Sequence, residues 1–138
     1  MKKQIKASVL IANYNNQKFI DQCIKSLLNQ TYQKIEIIFH DDYSKDNSIK
    51  EIEKYKSIKI IKNKKKTKFG SFNQLAAYER SFKKSKGDII FFLDSDDYFK
   101  RNKVKEILKI YKLKKILNKI FDLSILKYDE KNIYVNNK

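Results

Sequence analysis

Three carboxylates stand within four residues, at Asp94, Asp96 and Asp97, directly after the apolar run 89–93. Asp-x-Asp spacing suits a hard divalent cation such as Mg²⁺ or Mn²⁺, which takes oxygen ligands and often shares its coordination shell with phosphate oxygens. One aspartate here would be explained as a helix N-terminal cap, a role open to Asp97 or Asn102. Three carboxylates exceed what capping needs, so the cluster favours metal or substrate binding.

Polar residues also follow two other apolar runs, at 7–12 and 35–39. They are Asn13, Tyr14 and Asn15 after the first run, and Asp41 and Asp42, preceded by His40, after the second. We expect His40 to be packed or hydrogen-bonded rather than catalytic. If the runs are parallel strands, their carboxyl ends meet at one edge, where such sheets bind ligands. Five aspartates would then crowd this edge and repel one another unless cations or hydrogen-bond donors join them.

The elements that position these residues alternate between short apolar strands and longer mixed helices. Strands are predicted at 7–12, 35–39, 58–61 and 89–93, and helices at 19–28, from Asp46 or Asn47 to about Tyr55, and at 71–85. The third helix should turn Leu75, Ala76, Tyr78 and Phe82 toward the core, and Gly87 should end it. The fold class is therefore α/β, a three-layer sandwich with a mainly parallel, Rossmann-like sheet.

Length and composition exclude several classes of protein. The 138 residues predict one domain, and the single cysteine excludes an intramolecular disulfide or a Cys-based zinc or iron–sulfur site. A hydrophobic content of 41% is too high for a disordered chain. The sequence has no apolar run that could span a bilayer and no convincing signal peptide, so we expect a cytoplasmic protein.

The net charge of +16 is unevenly distributed, because residues 100–120 carry nine cations against Glu106 alone. These residues predict a basic helix with two apolar faces, which either breaks near Lys112 or has both faces covered. The two faces are Val104, Ile107, Leu108 and Tyr111 on one side, and Ile110, Leu113, Leu117 and Ile120 on the other. Four surroundings would each suit this segment: anionic lipid at the inner face of the membrane, the missing rest of the domain, a partner, or solvent. A strand is predicted at 121–128.

Other functions fit the sequence less well. A basic nucleic-acid-binding module is the alternative, but only Arg80 and Arg101 are arginines and the strand ends are acidic, so no nucleic acid is expected as partner. An aspartate-nucleophile phosphatase would need Thr where Tyr98 stands. Two glycines, Gly70 and Gly87, cannot form a P-loop or a Gly-x-Gly-x-x-Gly cradle.

Two segments together resemble a known family. The run SVLIANYNNQKFIDQCIKSLLNQTYQKIEIIFHDDYSKDNS is similar to the opening of family 2 glycosyltransferases with the GT-A fold, and KSKGDIIFFLDSDDYF resembles their Asp-x-Asp metal segment. The resemblance covers about 6–100 of a single domain at 1–138, with 101–138 divergent. It implies a glycosyltransferase that moves a sugar from a nucleotide-diphosphate sugar, of UDP type, to a glycan or lipid-linked acceptor in cell-surface polysaccharide synthesis.

The resemblance also implies roles for particular residues. The nucleoside pocket would be lined by Asn13, Tyr14 and Asn15, and the base would be bound by Asp41 or Asp42, of which we favour Asp41. The Asp-x-Asp residues Asp94, Asp96 and Asp97 would hold Mn²⁺ or Mg²⁺ and contact the ribose, with Asp96 as the best metal ligand and Asp94 as the second.

Two departures from the family pattern stand out. Where members often carry Arg-Asn, with the Arg near the nucleotide, this chain has Tyr78 and Glu79; Arg80 or Lys64–Lys68 would replace that charge, or Arg80 is only a solvated helix residue. The base that activates the acceptor comes later in the family's domain than Asp129-Glu130, so we expect the domain to be incomplete at its C-terminus and leave the catalytic residue unassigned.

Overall fold

The computed structural model describes residues 4–65 and 72–121. Four strands and four helices alternate in them, as predicted: β1 (Ala7–Asn13), α1 (Gln17–Leu28), β2 (Ile35–Asp41), α2 (Ser48–Glu53), β3 (Lys59–Lys62), α3 (Phe72–Phe82), β4 (Ile89–Asp94) and α4 (Lys103–Phe121). The chain divides after Lys105 into two compact units, and the first contains the whole sheet.

The sheet is parallel throughout, with strand order β3-β2-β1-β4. Its register sets Asn13 beside Asp41 and Ala12 beside Asp94, while Asp41 lies beside Lys62 on its other side. The strand ends therefore converge on one edge, as the sequence predicts.

The strand order also fixes the layers. The connections β1–β2 and β2–β3 step one way along the sheet, and the connection β3–β4 runs back across β2 and β1. Because parallel crossovers are right-handed, α1 and α2 cover one face and α3 covers the other. Consistently, α1 packs on α2, and α3 packs across β1 and β2. The predicted three-layer α/β sandwich is confirmed, and its direction reverses between β1 and β4, the place where ligands bind in such folds.

The buried face of α3 differs from the prediction. Leu75 is 66% exposed and Phe82 is 56% exposed, whereas Ala77 and Ser81 are buried. The helix turns these small residues, one turn apart, toward the sheet, which lets its backbone approach the strands closely. The size of the side chains therefore did not predict which residues of α3 face the sheet.

The prediction that Gly87 ends the third helix was also wrong, because α3 ends at Phe82. Gly87 instead lies against β1, where a Cβ atom would be 2.3 Å from Ser8 Oγ and 2.6 Å from Ser8 N. The position needs glycine because of this close approach. Nearby, the Glu36 carboxylate accepts hydrogen bonds from Ser8 Oγ and from Lys86 N.

Helix α4 is continuous from Lys103 to Phe121, so the alternative of a break near Lys112 was wrong. Ile110 and Leu113 of its second apolar face are exposed, and so is the nearby Ile116. The predicted strand at 121–128 begins with a residue that belongs to α4, and the rest of it lies outside the described residues. In the described part of the chain we find no helix with the length and apolarity needed to cross a bilayer.

Candidate functional site

The loop after β2 is built around the carboxylate of Asp41, which is 2% exposed. Its Oδ1 accepts hydrogen bonds from Asn13 Nδ2 at 2.8 Å and from Ser44 Oγ at 2.6 Å, and its Oδ2 accepts from Ser44 N at 2.9 Å. Both oxygens are therefore used inside the protein. This geometry makes Asp41 a residue that shapes the loop, a role that the sequence did not indicate.

The loop after β1 is tied to the same structure. Asn15 N donates to Ser44 Oγ at 2.9 Å, and Asn15 Oδ1 accepts from Lys45 N at 2.7 Å. Asn15 and Tyr43 have positive φ angles of 54° and 63°, a conformation that costs less for asparagine than for tyrosine. Between the anchored Asn13 and Asn15, the side chain of Tyr14 is 41% exposed, so its ring reaches the surface at the strand edge.

Asp42 is buried between the ends of three strands. Its N–H donates to Asn13 O at 2.9 Å, and its Oδ1 accepts from Asn63 Nδ2 at 2.5 Å. Asn63 directly follows β3, and its Oδ1 accepts from Arg80 Nη1 at 2.7 Å. Arg80 is thus directed to the Asp42 side of the edge. Sequence reasoning missed Asn63, although applying the strand-end argument to β3 would have found it.

His40, on β2 directly before Asp41, is completely buried. Neither ring nitrogen has a hydrogen-bond partner in the described structure. Burial lowers the pKa of His40, as does the positive charge of Arg80, while Asp42 and Asp41 act in the opposite direction. His40 is therefore a neutral side chain that is packed in the core.

The first carboxylate of the Asp-x-Asp segment is held by α3. Asp94 Oδ1 accepts hydrogen bonds from Tyr78 Oη at 2.5 Å and from Gln74 Nε2. The Tyr78 ring is braced edge-on against Phe92, with ring centroids 4.9 Å apart. Burial raises the pKa of Tyr78, and the hydrogen bond to Asp94 raises it further, so Tyr78 remains a protonated donor. The position where the family often has arginine therefore supplies a neutral donor here.

The remaining two carboxylates reach solvent, because the side chains of Asp96 and Asp97 are exposed. Their turn is fixed by Ser95, whose N–H donates to Ala12 O at 3.1 Å and whose Oγ accepts from Asn16 Nδ2 at 3.0 Å. The described residues contain no group of three His, Cys, Asp or Glu side chains that could hold a metal ion by themselves.

The donor set nevertheless fits a hard cation that shares its shell with a ligand. Mg²⁺ is usually bound by one or two carboxylates plus substrate phosphates, not by a cage made entirely of protein. Cys23 Sγ lies 3.9 Å from Asp94 O, but burial raises the pKa of Cys23 to about 12, with the charges of Asp97, Asp96 and Asp94 adding to the effect. The thiol therefore stays protonated, and the available ligands are oxygens.

A buried glutamine anchors the segment that follows the acidic turn. Gln30 Nε2 donates to Lys100 O at 2.9 Å and to Ser26 O at 3.0 Å, while Gln30 Oε1 accepts from Val104 N at 3.1 Å. Thr31 N donates to Arg101 O at 3.0 Å. Gln30 and Thr31 belong to the first of the two runs that resemble the family, where they had no assigned role. They fix the segment 100–104.

Comparison with known proteins identifies the family. The model of glycosyl transferase family 2 matches residues 8–132. A relative from Escherichia coli, UDP-Glc:alpha-D-GlcNAc-diphosphoundecaprenol beta-1,3-glucosyltransferase WfaP, is 37% identical over 109 residues, which are 79% of this chain and 42% of the relative.

Two solved structures share the fold. S. aureus TarS 1–349 in complex with UDP superposes with a TM-score of 0.67 at 26% identity, over 76% of this chain and 31% of that one. The mannosyltransferase PcManGT from Pyrobaculum calidifontis, solved with GDP-Man and Mn²⁺, has a TM-score of 0.55 at 16% identity, over 71% of this chain and 29% of that one, and shows the fold alone. The chain spans about two fifths of the length of curated relatives, 40% for one from Nostoc. With a parallel GT-A sheet and a family match over residues 8–132, the chain belongs to glycosyl transferase family 2.

Proposed function

We propose that this chain is the nucleotide-sugar-binding part of a metal-dependent glycosyltransferase, which takes a sugar from a UDP-sugar and transfers it to a glycan or lipid-linked acceptor. The observation that carries the proposal is the polar edge at the ends of the neighbouring strands β1 and β4, where the exposed Tyr14 follows β1 and the exposed Asp96 follows β4. The E. coli relative is named for a UDP-Glc donor and a diphosphoundecaprenol-linked acceptor, and TarS was solved with UDP.

In this proposal the nucleoside lies on the loops after β1 and β2. Asn13 and Asn15 hold the loop that presents Tyr14, whose exposed ring offers a face for the base. We assign the contact with the base to Asp42 and not to Asp41, because both oxygens of Asp41 already accept hydrogen bonds from Asn13 and Ser44.

The diphosphate lies on the acidic turn after β4. Asp96, with Asp94 as second ligand and Asp97 beside them, would hold Mg²⁺ or Mn²⁺ together with phosphate oxygens. When bound, such an ion stabilises the negative charge that develops on a departing diphosphate. The contribution of the chain itself is placement: Tyr78 and Gln74 fix the carboxylate of Asp94, and Gln30 fixes the segment behind the turn.

A peripheral membrane contact through residues 100–120 on the cytoplasmic side forms part of the proposal. Its support is the exposed apolar face Ile110, Leu113 and Ile116 on a helix rich in lysine. A basic helix with such a face suits anionic lipid near a lipid-linked acceptor. Sedimentation with phosphatidylglycerol vesicles tests it: the chain should bind them, Leu113→Glu should bind them less, and equal binding would refute the contact.

Calorimetric titration with UDP tests the donor site. We expect UDP to bind more tightly with Mn²⁺ than with EDTA, and Asp96→Asn to abolish that gain. Asp21→Asn is the matched control, since Asp21 is an exposed aspartate on α1 paired with Lys25. The absence of UDP binding under both conditions would refute the proposed function, and a full Mn²⁺ gain in Asp96→Asn would refute the metal assignment.

A further inference from the structure

A relay of three polar side chains joins the outer helix α3 to the end of β2. Arg80 Nη1 donates to Asn63 Oδ1 at 2.7 Å, and Asn63 Nδ2 donates to Asp42 Oδ1 at 2.5 Å. The three residues lie on three successive parts of the chain, so the relay is a tertiary feature and not a local turn.

The chemistry of the two end groups fixes the orientation of the central amide. A guanidinium can only donate hydrogen bonds and an ionised carboxylate can only accept them. Asn63 must therefore turn its carbonyl to Arg80 and its NH₂ group to Asp42. In the flipped orientation the amide oxygen would face and repel the Asp42 carboxylate, and the amide NH₂ group would face the Arg80 guanidinium, so both end groups favour the observed orientation.

Backbone hydrogen bonds fix two of the three members in place. Asp42 N donates to Asn13 O at 2.9 Å, which continues the pairing of β2 with β1. Asn63 N donates to Asp41 O at 2.9 Å, which continues the pairing of β3 with β2. The carboxylate of Asp42 is thus held from both neighbouring strands, and Arg80 completes the arrangement from the helical layer.

The position of Arg80 separates it from the acidic turn. Its hydrogen bond goes to the β3 end of the sheet, whereas Asp94 is held by Tyr78 and Gln74 at the β4 end. Its charge is also among the causes that lower the pKa of His40 on β2, next to Asp41. Arg80 therefore lies on the side of the edge where we place the base, a position that the sequence left open.

We propose that Arg80 and Asn63 are positioning residues that hold the Asp42 carboxylate as the acceptor for a ring N–H of the nucleotide base. A carboxylate held in this way favours uracil, whose imide edge presents N–H, over cytosine, whose ring nitrogen there is an acceptor. The inference rests on the proposed function, because it deepens the assignment of Asp42 to the base.

Titrations with three probes in the presence of Mn²⁺ test the relay: UDP, CDP and inorganic pyrophosphate. Arg80→Met keeps most of the side-chain length but removes the donor, and Arg80→Lys keeps one donor. We expect Arg80→Met and Asn63→Leu to weaken UDP binding about tenfold, the loss typical of one hydrogen bond to a charged group. Pyrophosphate binding should change less than about twofold, the preference for UDP over CDP should shrink, and Arg80→Lys should keep most of the affinity.

The matched control is Lys83→Met, which removes a cation directly after the same helix, where its partner is Glu79. It should leave binding of all three probes unchanged. Equal losses of UDP and pyrophosphate in Arg80→Met would overturn the inference and assign Arg80 to the phosphates. Unchanged UDP binding in Arg80→Met would overturn it as well, while leaving the proposed function intact. Failure of the unaltered chain to bind UDP would instead refute the proposed function and, with it, this inference.

Discussion

Replacing Gln30 with leucine should destabilise the protein more than any surface substitution, because its amide joins three backbone groups. The side chain is 1% exposed and bonds to Ser26 O, Lys100 O and Val104 N at 2.9–3.1 Å. Leucine has a similar volume, so the change removes the hydrogen bonds without opening a large cavity.

The size of the effect follows from the groups left without partners. A buried donor or acceptor that loses its partner costs about 1–3 kcal/mol. Two of the three groups, Lys100 O and Val104 N, lie 70 and 74 residues away in the chain and depend on Gln30 for this contact. Water can reach part of the first turn of α4, so we expect a loss of about 2–4 kcal/mol in the free energy of unfolding.

Urea unfolding followed by circular dichroism measures this loss. With a slope of about 1–2 kcal/mol per M, the midpoint should fall by about 1–4 M while the slope stays the same. Gln33→Leu is the control: Gln33 is exposed and its side-chain amide donates to Gln30 O, so the loss of stability should stay below about 1 kcal/mol. Equal stabilities of the Gln30→Leu and Gln33→Leu proteins would refute the role given to the buried amide.

Three further predictions concern backbone strain, close packing and pH. Because Tyr43 has φ 63°, Tyr43→Gly should be more stable than Tyr43→Ala by about 0.5–1 kcal/mol in urea unfolding, and the opposite order would contradict the strain. Gly87→Ala should lower the free energy of unfolding by about 2 kcal/mol or more, since its Cβ would meet the backbone nitrogen of Ser8. Lys86→Ala should lower it little, and similar melting temperatures of the two variants would count against this contact. His40 is the only histidine, and its pKa is lowered in the fold from the ordinary 6.5, so the unfolded chain binds the proton more readily. Stability should therefore be full above pH 6.5 and decline as the pH falls below that value, and His40→Leu should remove the decline between pH 7.5 and 5.5; a decline that persists in His40→Leu would assign it to other groups.

The sequence was sufficient for the sheet and for its polar edge. Apolar runs ending in polar residues predicted the strands, and the resulting register does place Asn13 beside Asp41 and Asp94 next to β1. The prediction of the sheet succeeds because strands buried on both faces leave few alternatives to a parallel sheet covered by helices. The right-handed connections then determine which loops meet.

The sequence was insufficient where two similar residues stand side by side. It could not separate Asp41 from Asp42, because the difference depends on Ser44 and Asn63, which approach them from other parts of the fold. It also left the role of Arg80 open between the nucleotide and solvent, since sequence spacing does not reveal that its side chain meets Asn63 after β3.

The carboxylates at the edge explain why a chain with net charge +16 is suited to a cation at this site. The carboxylate of Asp41 is satisfied by Asn13 and Ser44, and the hydrogen bonds to Asp94 described here come from Tyr78 and Gln74, all of them neutral donors. Neutral donors fix a carboxylate in place without cancelling its charge, so negative charge persists at the edge although lysines dominate the rest of the surface. A diphosphate alone would be repelled there, and a divalent ion removes that repulsion. Under the proposed function, the neutral Tyr78 at the position where family members often carry arginine should therefore make donor binding depend more strongly on the metal.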